Sequence, residues 1–307
     1  MKVKRVSKIP YIPGIHCLFI IQMAGPACLA RHTEASVIGR NRKMDPEAVL
    51  IDLDGVLYDG ETPVPGAVAT LSYLTDNGYP FRFVSNTTRR SRETLSLRVA
   101  SMGFAIPVSH IFTPCAAAVS YISGQGGNAA FLLTSPEVTA EMNREGIRHS
   151  AEGARFVVVG DAGDLFTYAL LNGAFRKLLE GAELIALEKD RYWMGNDGMM
   201  LSAGPFVSAL EYASGKKALV MGKPSRDFFM RALASLNARP SRSVMVGDDV
   251  VTDVGGAIAC GLTGILVKTG KFRQDTLERA PIPPSGVIPS IADLPRLLAS
   301  GELCPGL

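Results

Sequence analysis

The sequence predicts a parallel α/β core into which a second, smaller α/β domain is inserted. Three observations carry this. From residue 47 onward, short apolar runs alternate with amphipathic helical patterns, the order that joins parallel strands through helical crossovers. Four of the apolar runs end in side chains suited to chemistry rather than packing. Between the second and third of these ends lie about 135 residues, far more than one crossover needs.

The elements follow in order. Ala48–Leu53 reads as a buried strand, Gly66–Asn77 as an amphipathic helix closed by Gly78, and Phe81–Ser85 as a strand. Ser91–Met102 reads as a helix with Ser91 as its N-cap and Gly103 just past its end. Within the long insertion, strands are expected at Ala129–Leu133, Phe156–Gly160 and Glu183–Leu187, separated by helices at Pro136–Glu145 and Phe166–Glu180. That is enough for a domain over 115–210, leaving 46–114 and 211–300 as the core. Gly124-Gln125-Gly126-Gly127 is a turn, since neither a lysine nor a helix start follows it. The tail holds a loop around Pro281–Pro284 and a short helix near Ile291–Ala299.

In an open parallel sheet the ligand crevice lies beyond the carboxyl ends of the strands, so the four ends should converge. The first is Val49-Leu50-Ile51-Asp52-Leu53-Asp54-Gly55. Asp52 and Asp54, two apart on a strand, leave it on one face, and Gly55 permits a sharp turn. Two acids so placed repel unless a cation or a proton intervenes. The second end is Phe83-Val84-Ser85-Asn86-Thr87, and the third is Val220-Met221-Gly222-Lys223-Pro224. The fourth is Val246-Gly247-Asp248-Asp249, with Asp253 shortly after. Each has a plain structural alternative. Lys223 can be a solvated loop cation, Ser85 a turn cap, and Asp253 the N-cap of a helix beginning near Gly255. Asn86-Thr87-Thr88 also fits a glycosylation sequon, which a phosphate pocket at the same place would exclude.

These four pieces, in this order, resemble the haloacid dehalogenase superfamily of aspartate-nucleophile phosphotransferases. The resemblance implies a Rossmann-like core, and an insertion at this place looks like the cap domain of the superfamily's nitrophenylphosphatase-like branch. It covers about residues 46–275 and takes in Arg191-Tyr192-Trp193 and the Gly264–Lys271 stretch. The chain departs from that pattern at Val250-Val251-Thr252, where more polar residues are usual. Dehalogenases lack the second acid of the first end, so Asp54 points to phosphoryl transfer.

The chemistry then assigns itself. Asp52 is the expected nucleophile, and Asp54 the acid and base for the leaving group and the hydrolytic water. Asp52, the Asp54 carbonyl and Asp248 are the expected ligands of a Mg2+ ion, a hard cation that keeps several waters. Lys223, Ser85, Asn86 and Thr87 are expected to hold the phosphoryl group, with Asp249 and Asp253 behind them, one of the two orienting Lys223. The cap aromatics Tyr192 and Trp193, with Arg191, either meet substrate or pack.

Composition bounds the rest. The 307 residues are 47% hydrophobic with a net charge of +3. Residues 1–43 carry eight Lys/Arg against one Glu, so the remainder is mildly acidic, with no basic stripe for nucleic acid. That leading segment imitates a secretory signal, but His16 and Gln22 interrupt it, and its apolar stretch is too short to span a bilayer. The favoured reading starts the functional chain at Met44 and leaves residues 1–43 poorly ordered; an organelle-targeting peptide is the second. Cys17, Cys28, Cys115, Cys260 and Cys304 are scattered and odd in number, which suits free thiols in a reducing, cytoplasmic setting. A phosphatase of small phosphorylated compounds, pyrophosphate and phosphoamino acids among them, is the leading expectation. A low-activity phosphate-binding protein and a haloacid dehalogenase are the alternatives. The resemblance also implies a homodimer paired through the cap, with no membrane partner.

Overall fold

In the computed structural model the described residues are 45–195 and 198–301, and the basic segment 1–43, with the Met44 start, lies outside them. The chain opens with β1 (Ala48–Asp52), a small hairpin of β2 (Tyr58–Asp59) and β3 (Thr62–Pro63), and α1 (Ala67–Asp76). Next come β4 (Phe81–Val84), α2 (Arg92–Ser101), β5 (Ile111–Phe112) and α3 (Pro114–Gly124). The second domain begins with β6 (Ala129–Leu133), α4 (Pro136–Arg144), β7 (Arg148–His149) and β8 (Phe156–Val159). It continues through α5 (Tyr168–Leu179), β9 (Glu183–Ala186), the hairpin β10 (Tyr192–Gly195) and β11 (Gly198–Leu201), and α6 (Ala203–Ser214). The last part holds β12 (Leu219–Val220), α7 (Arg226–Ala234), β13 (Ser243–Gly247), α8 (Gly256–Ala259) and β14 (Thr263–Val267). It closes with α9 (Gln274–Glu278), β15 (Gly286–Ile288) and α10 (Leu294–Ser300).

Among the described residues there are two larger sheets. One runs β15-β14-β13-β1-β4-β5 and the other β12-β9-β8-β6-β7, and the pairings within both are parallel. This is the predicted α/β core with an inserted α/β cap. The central strand β1 is buried on both faces, as a sheet covered by helices on either side requires. Val49 and Ile51 enter one apolar cluster with α1, α2 and α10. Ala48 and Leu50 enter another that runs on through α3 and α7 to Leu132, Val158 and Ile185 of the second sheet. The two sheets therefore share one continuous apolar interior.

Local signals behave as physical chemistry dictates. The Ser91 hydroxyl accepts the Thr94 N–H at 3.2 Å and starts α2, and Gly103 (φ 91°) follows its end. One structural fact was not foreseen. The strand that precedes Lys223, β12, pairs with β9, so this lysine is delivered from the edge of the smaller sheet.

Helix α4 of the cap clasps the start of α2. Glu137 accepts the Ser91 N–H (3.1 Å) and the Thr94 hydroxyl (2.7 Å). Glu141, only 1% exposed, accepts the Arg92 N–H (3.0 Å) and its Nε (2.5 Å). Carboxylates beside a helix N-terminus also suit the helix dipole. No helix of the described residues is long and apolar enough to cross a membrane.

Candidate active site

β1 and β13 are neighbours, with Ile51 opposite Val246, so Asp52 and Asp248 emerge side by side at their carboxyl ends. After Asp52 the chain turns sharply: the Gly55 N–H donates to Tyr58 O at 2.6 Å, with Gly55 at φ 81°. A side chain at Gly55 is impossible for a second reason. A Cβ there would stand 1.9 Å from Asp248 Oδ2, and one at Gly270 (φ 58°) would stand 2.2 Å from the same oxygen. The Asp248 carboxylate thus lies in a cradle of two glycines. Its Oδ2 accepts the Lys271 N–H at 2.7 Å, while its buried Oδ1 has no hydrogen-bond partner.

Lys223 is 6% exposed, and its Nζ lies 2.6 Å from Asp52 Oδ1 and 2.6 Å from Asp253 Oδ1. The solvated-cation alternative is thereby excluded by burial. Asn86 fixes the lysine's backbone on both sides, accepting its N–H at 2.7 Å and donating to its carbonyl at 3.0 Å. Between the two motif acids, Asp249 is the cap: it accepts the Val251 and Thr252 N–H groups at 2.9 and 3.0 Å. The wide π-helical turn Val250–Gly255 that follows swings Asp253 back beneath Gly247 toward Lys223. Asp253 is therefore the ion partner and not the N-cap. One oxygen each of Asp52, Asp248 and Asp253 lies within 4.8 Å of the others.

Electrostatics follow from burial. Burial pushes the Asp52 carboxyl up, and the ammonium of Lys223 opposes it. Burial raises Asp248 and Asp253 each to about 6. Burial works against the Lys223 ammonium too, yet Asp253 and Asp52 outweigh it and raise its pKa. Burial also works against Asp249, but its two backbone donors hold it below the usual carboxylate range.

The remaining expected residues converge on the same place. Asp54 is exposed at the mouth, and Ser85, Asn86 and Thr87 line a cavity of about 510 Å³ with Asp52, Lys223 and Asp253. The Ser85 hydroxyl accepts the Thr87 N–H at 3.3 Å, so it does cap its turn while facing the cavity. Sequence reasoning missed Lys271, Tyr58, Arg90, Arg98 and Asp190, which line it as well. The signal for Lys271 was a further strand end, since it follows β14 as the acids follow β1 and β13. A second cavity of about 690 Å³ adjoins the first, sharing Asn86, Thr87, Arg90 and Asp190 with it, and is lined by Arg89, Glu188 and Trp193 of loop and cap.

Residues 49–148 match the family described as haloacid dehalogenase-like hydrolase, and residues 220–294 match a HAD-hydrolase-like family. Human haloacid dehalogenase-like hydrolase domain-containing protein 2 is 43% identical over 238 residues, 78% of this chain and 90% of that protein. Zebrafish (Danio rerio) phospholysine phosphohistidine inorganic pyrophosphate phosphatase is 40% identical over 233 residues, 74% of this chain and 84% of its own. Among solved structures, the p-nitrophenyl phosphatase of Archaeoglobus fulgidus superimposes with a TM-score of 0.76 at 29% identity, covering 82% of this chain and 99% of that one. A Mycobacterium tuberculosis glycerol phosphate phosphatase in complex with magnesium gives a TM-score of 0.73 at 26% identity, covering 83% and 79%. Two family matches that together cover more than half of the chain, and relatives aligned over most of their own length, agree with the acids and lysine gathered at the strand ends: the chain belongs to the haloacid dehalogenase-like hydrolases.

Proposed function

We propose that this chain is a magnesium-dependent phosphatase that hydrolyses phosphate monoesters or other small phosphorylated compounds through a phosphoaspartate on Asp52. One observation carries the reading: a buried carboxylate, Asp52, is held by a buried lysine beside Asp248, whose inner oxygen lacks a partner. A buried carboxylate oxygen without a donor is what a cation site leaves when only protein atoms are counted. The acids present fit a hard divalent ion, and Asp52, Asp248 and the Asp54 carbonyl are the groups that would hold it, because Asp253 is committed to Lys223. When bound, that ion offsets the repulsion between the phosphate and the attacking carboxylate.

The chain's own residues supply the rest. Lys223 takes one Asp52 oxygen and leaves the other to attack phosphorus, while its charge faces the phosphoryl oxygens. Asp253 keeps the ammonium in place between turnovers. Asn86 sets the position of Lys223 through its backbone, and Ser85 and Thr87 flank the phosphoryl group in the cavity. Asp54, at the mouth, protonates the departing oxygen and then takes a proton from the water that attacks the phosphoaspartate. Release of phosphate from 4-nitrophenyl phosphate, with and without magnesium, tests the whole reading. No release under either condition would sink it. The names of the relatives place pyrophosphate and phosphoamino acids among the substrates to assay.

Metal and protons should compete. Asp248 titrates at about 6 in the folded chain without metal, against about 4 for an unperturbed carboxyl. A raised acid contributes stability that is fully present below about pH 4 and lost as the pH rises through about 6. Magnesium replaces that lost contribution, so its effect on the melting temperature should be largest above about pH 7 and shrink below about pH 6. An equal magnesium-induced shift across that range, read by thermal melts against EDTA, would contradict the assignment of Asp248 as a ligand.

Pairing of two copies through the cap belongs to the same reading. Its support is the hairpin of β10 and β11, which leaves Tyr192, Met194, Met199 and Leu201 exposed. Light scattering of the full chain should give a dimer, and Met194→Asp should give a monomer. A monomeric wild-type chain would remove the proposal.

A further inference from the structure

The reaction cavity and the larger chamber beside it meet at four residues. Asn86, Thr87 and Arg90 come from the loop after β4, and Asp190 comes from the loop after β9 of the cap. A leaving group that extends from a phosphoryl group at Asp52 into the chamber of about 690 Å³ passes this junction. Two of the four are charged, they bear opposite signs, and both are exposed. Neither forms an ion pair with the other or with another described residue.

The contrast with their neighbours is informative. Arg89 is already engaged, 3.7 Å from Asp161 and stacked 5.1 Å over the Trp193 ring. Glu188 is buried and accepts the Ser202 hydroxyl at 2.6 Å and the Ala203 N–H at 2.8 Å, and it also bonds the Asp190 backbone N–H. Glu188 therefore anchors the stretch that carries Asp190 and leaves the Asp190 carboxylate to face the junction. The chamber's other charges are spent on the protein, and Arg90 and Asp190 are not.

We propose that Arg90 and Asp190 read the charge of the leaving group, so that the preferred substrates carry both an anion, held by Arg90 from the core, and a cation, held by Asp190 from the cap. Leaving groups of a single charge would satisfy one side chain and be repelled by the other. The inference rests on the phosphatase reading and names the substrate class of that same site.

The test measures kcat/KM of the full chain with magnesium on three phosphate monoesters. Their leaving groups are zwitterionic (O-phosphoserine), cationic (O-phosphoethanolamine) and anionic (phosphoglycolate). Each value is divided by that for 4-nitrophenyl phosphate on the same variant, which cancels general damage. The wild type should favour O-phosphoserine over both singly charged esters. Asp190→Asn should lower the O-phosphoethanolamine ratio about fivefold and raise that of phosphoglycolate, the rate equivalent of one partly exposed ion pair. Arg90→Gln should shift the two ratios the other way. Variants that scale every substrate alike overturn the inference while the phosphatase reading stands. A wild type inactive on 4-nitrophenyl phosphate removes both.

Discussion

Asp52→Asn should lower phosphate release by at least about 10⁴-fold at saturating magnesium, with the fold intact. The amide is nearly the shape of the carboxylate, so packing at this 7%-exposed position is kept. What disappears is the proposed nucleophile. The Lys223 ammonium keeps Asp253 at 2.6 Å, and the variant also removes one charge whose burial is costly. Melting temperature should therefore hold while turnover is lost. Wild-type turnover in this variant would remove Asp52 from the chemistry, and a large drop in melting temperature would show that its charge is structural.

Lys223→Met should damage both stability and activity. The lysine neutralises two buried carboxylates at once, and removing one partner of such an arrangement costs about 3–5 kcal/mol. Methionine nearly matches its length, so the loss is electrostatic rather than a cavity. Burial already holds Asp253 up at about 6, and losing the ammonium raises it further. The penalty should therefore shrink as the pH falls and the carboxyls take up protons. Urea unfolding of wild type and variant at about pH 5 and about pH 7.5 measures this difference directly. A penalty independent of pH would mean that packing, not charge, is what Lys223 contributes. Activity should fall at least about 10²-fold, because the proposed mechanism loses its preorganised charge at the phosphoryl oxygens.

Much of this was legible because parallel topology turns strand ends into a site. Asp52, Lys223 and Asp248 each follow an apolar run, and the structure brings all three together. Which of Asp249 and Asp253 would cap the following helix could not be read, because both precede it at short range. Only the width of the turn at Val250–Gly255 separates their roles. The sheet that owns β12 was hidden for a similar reason: two residues, Leu219 and Val220, hold no pattern that tells one sheet from another. Helix α3 went unmarked although Thr113 caps it and Pro114 opens it, a pair of signals present in the sequence. The hairpin of β10 and β11 escaped because its strands are exposed apolar residues without alternation, so period gives no warning. Lys271 was overlooked because it lies past a fifth strand end, outside the four acid- and lysine-bearing ones, and β14 delivers it to Asp248.

The clasp between α4 and α2 gives the loop Ser85–Arg90 an unusual tether. Its far end is moored to the cap by Glu137 and Glu141, and Ser135 takes hold of the Arg89 carbonyl at 2.8 Å. No α4 residue borders either cavity, yet the loop cannot shift without dragging that helix along. Cap helix α4 and the loop that carries Ser85, Asn86 and Thr87 are accordingly joined as one mechanical piece.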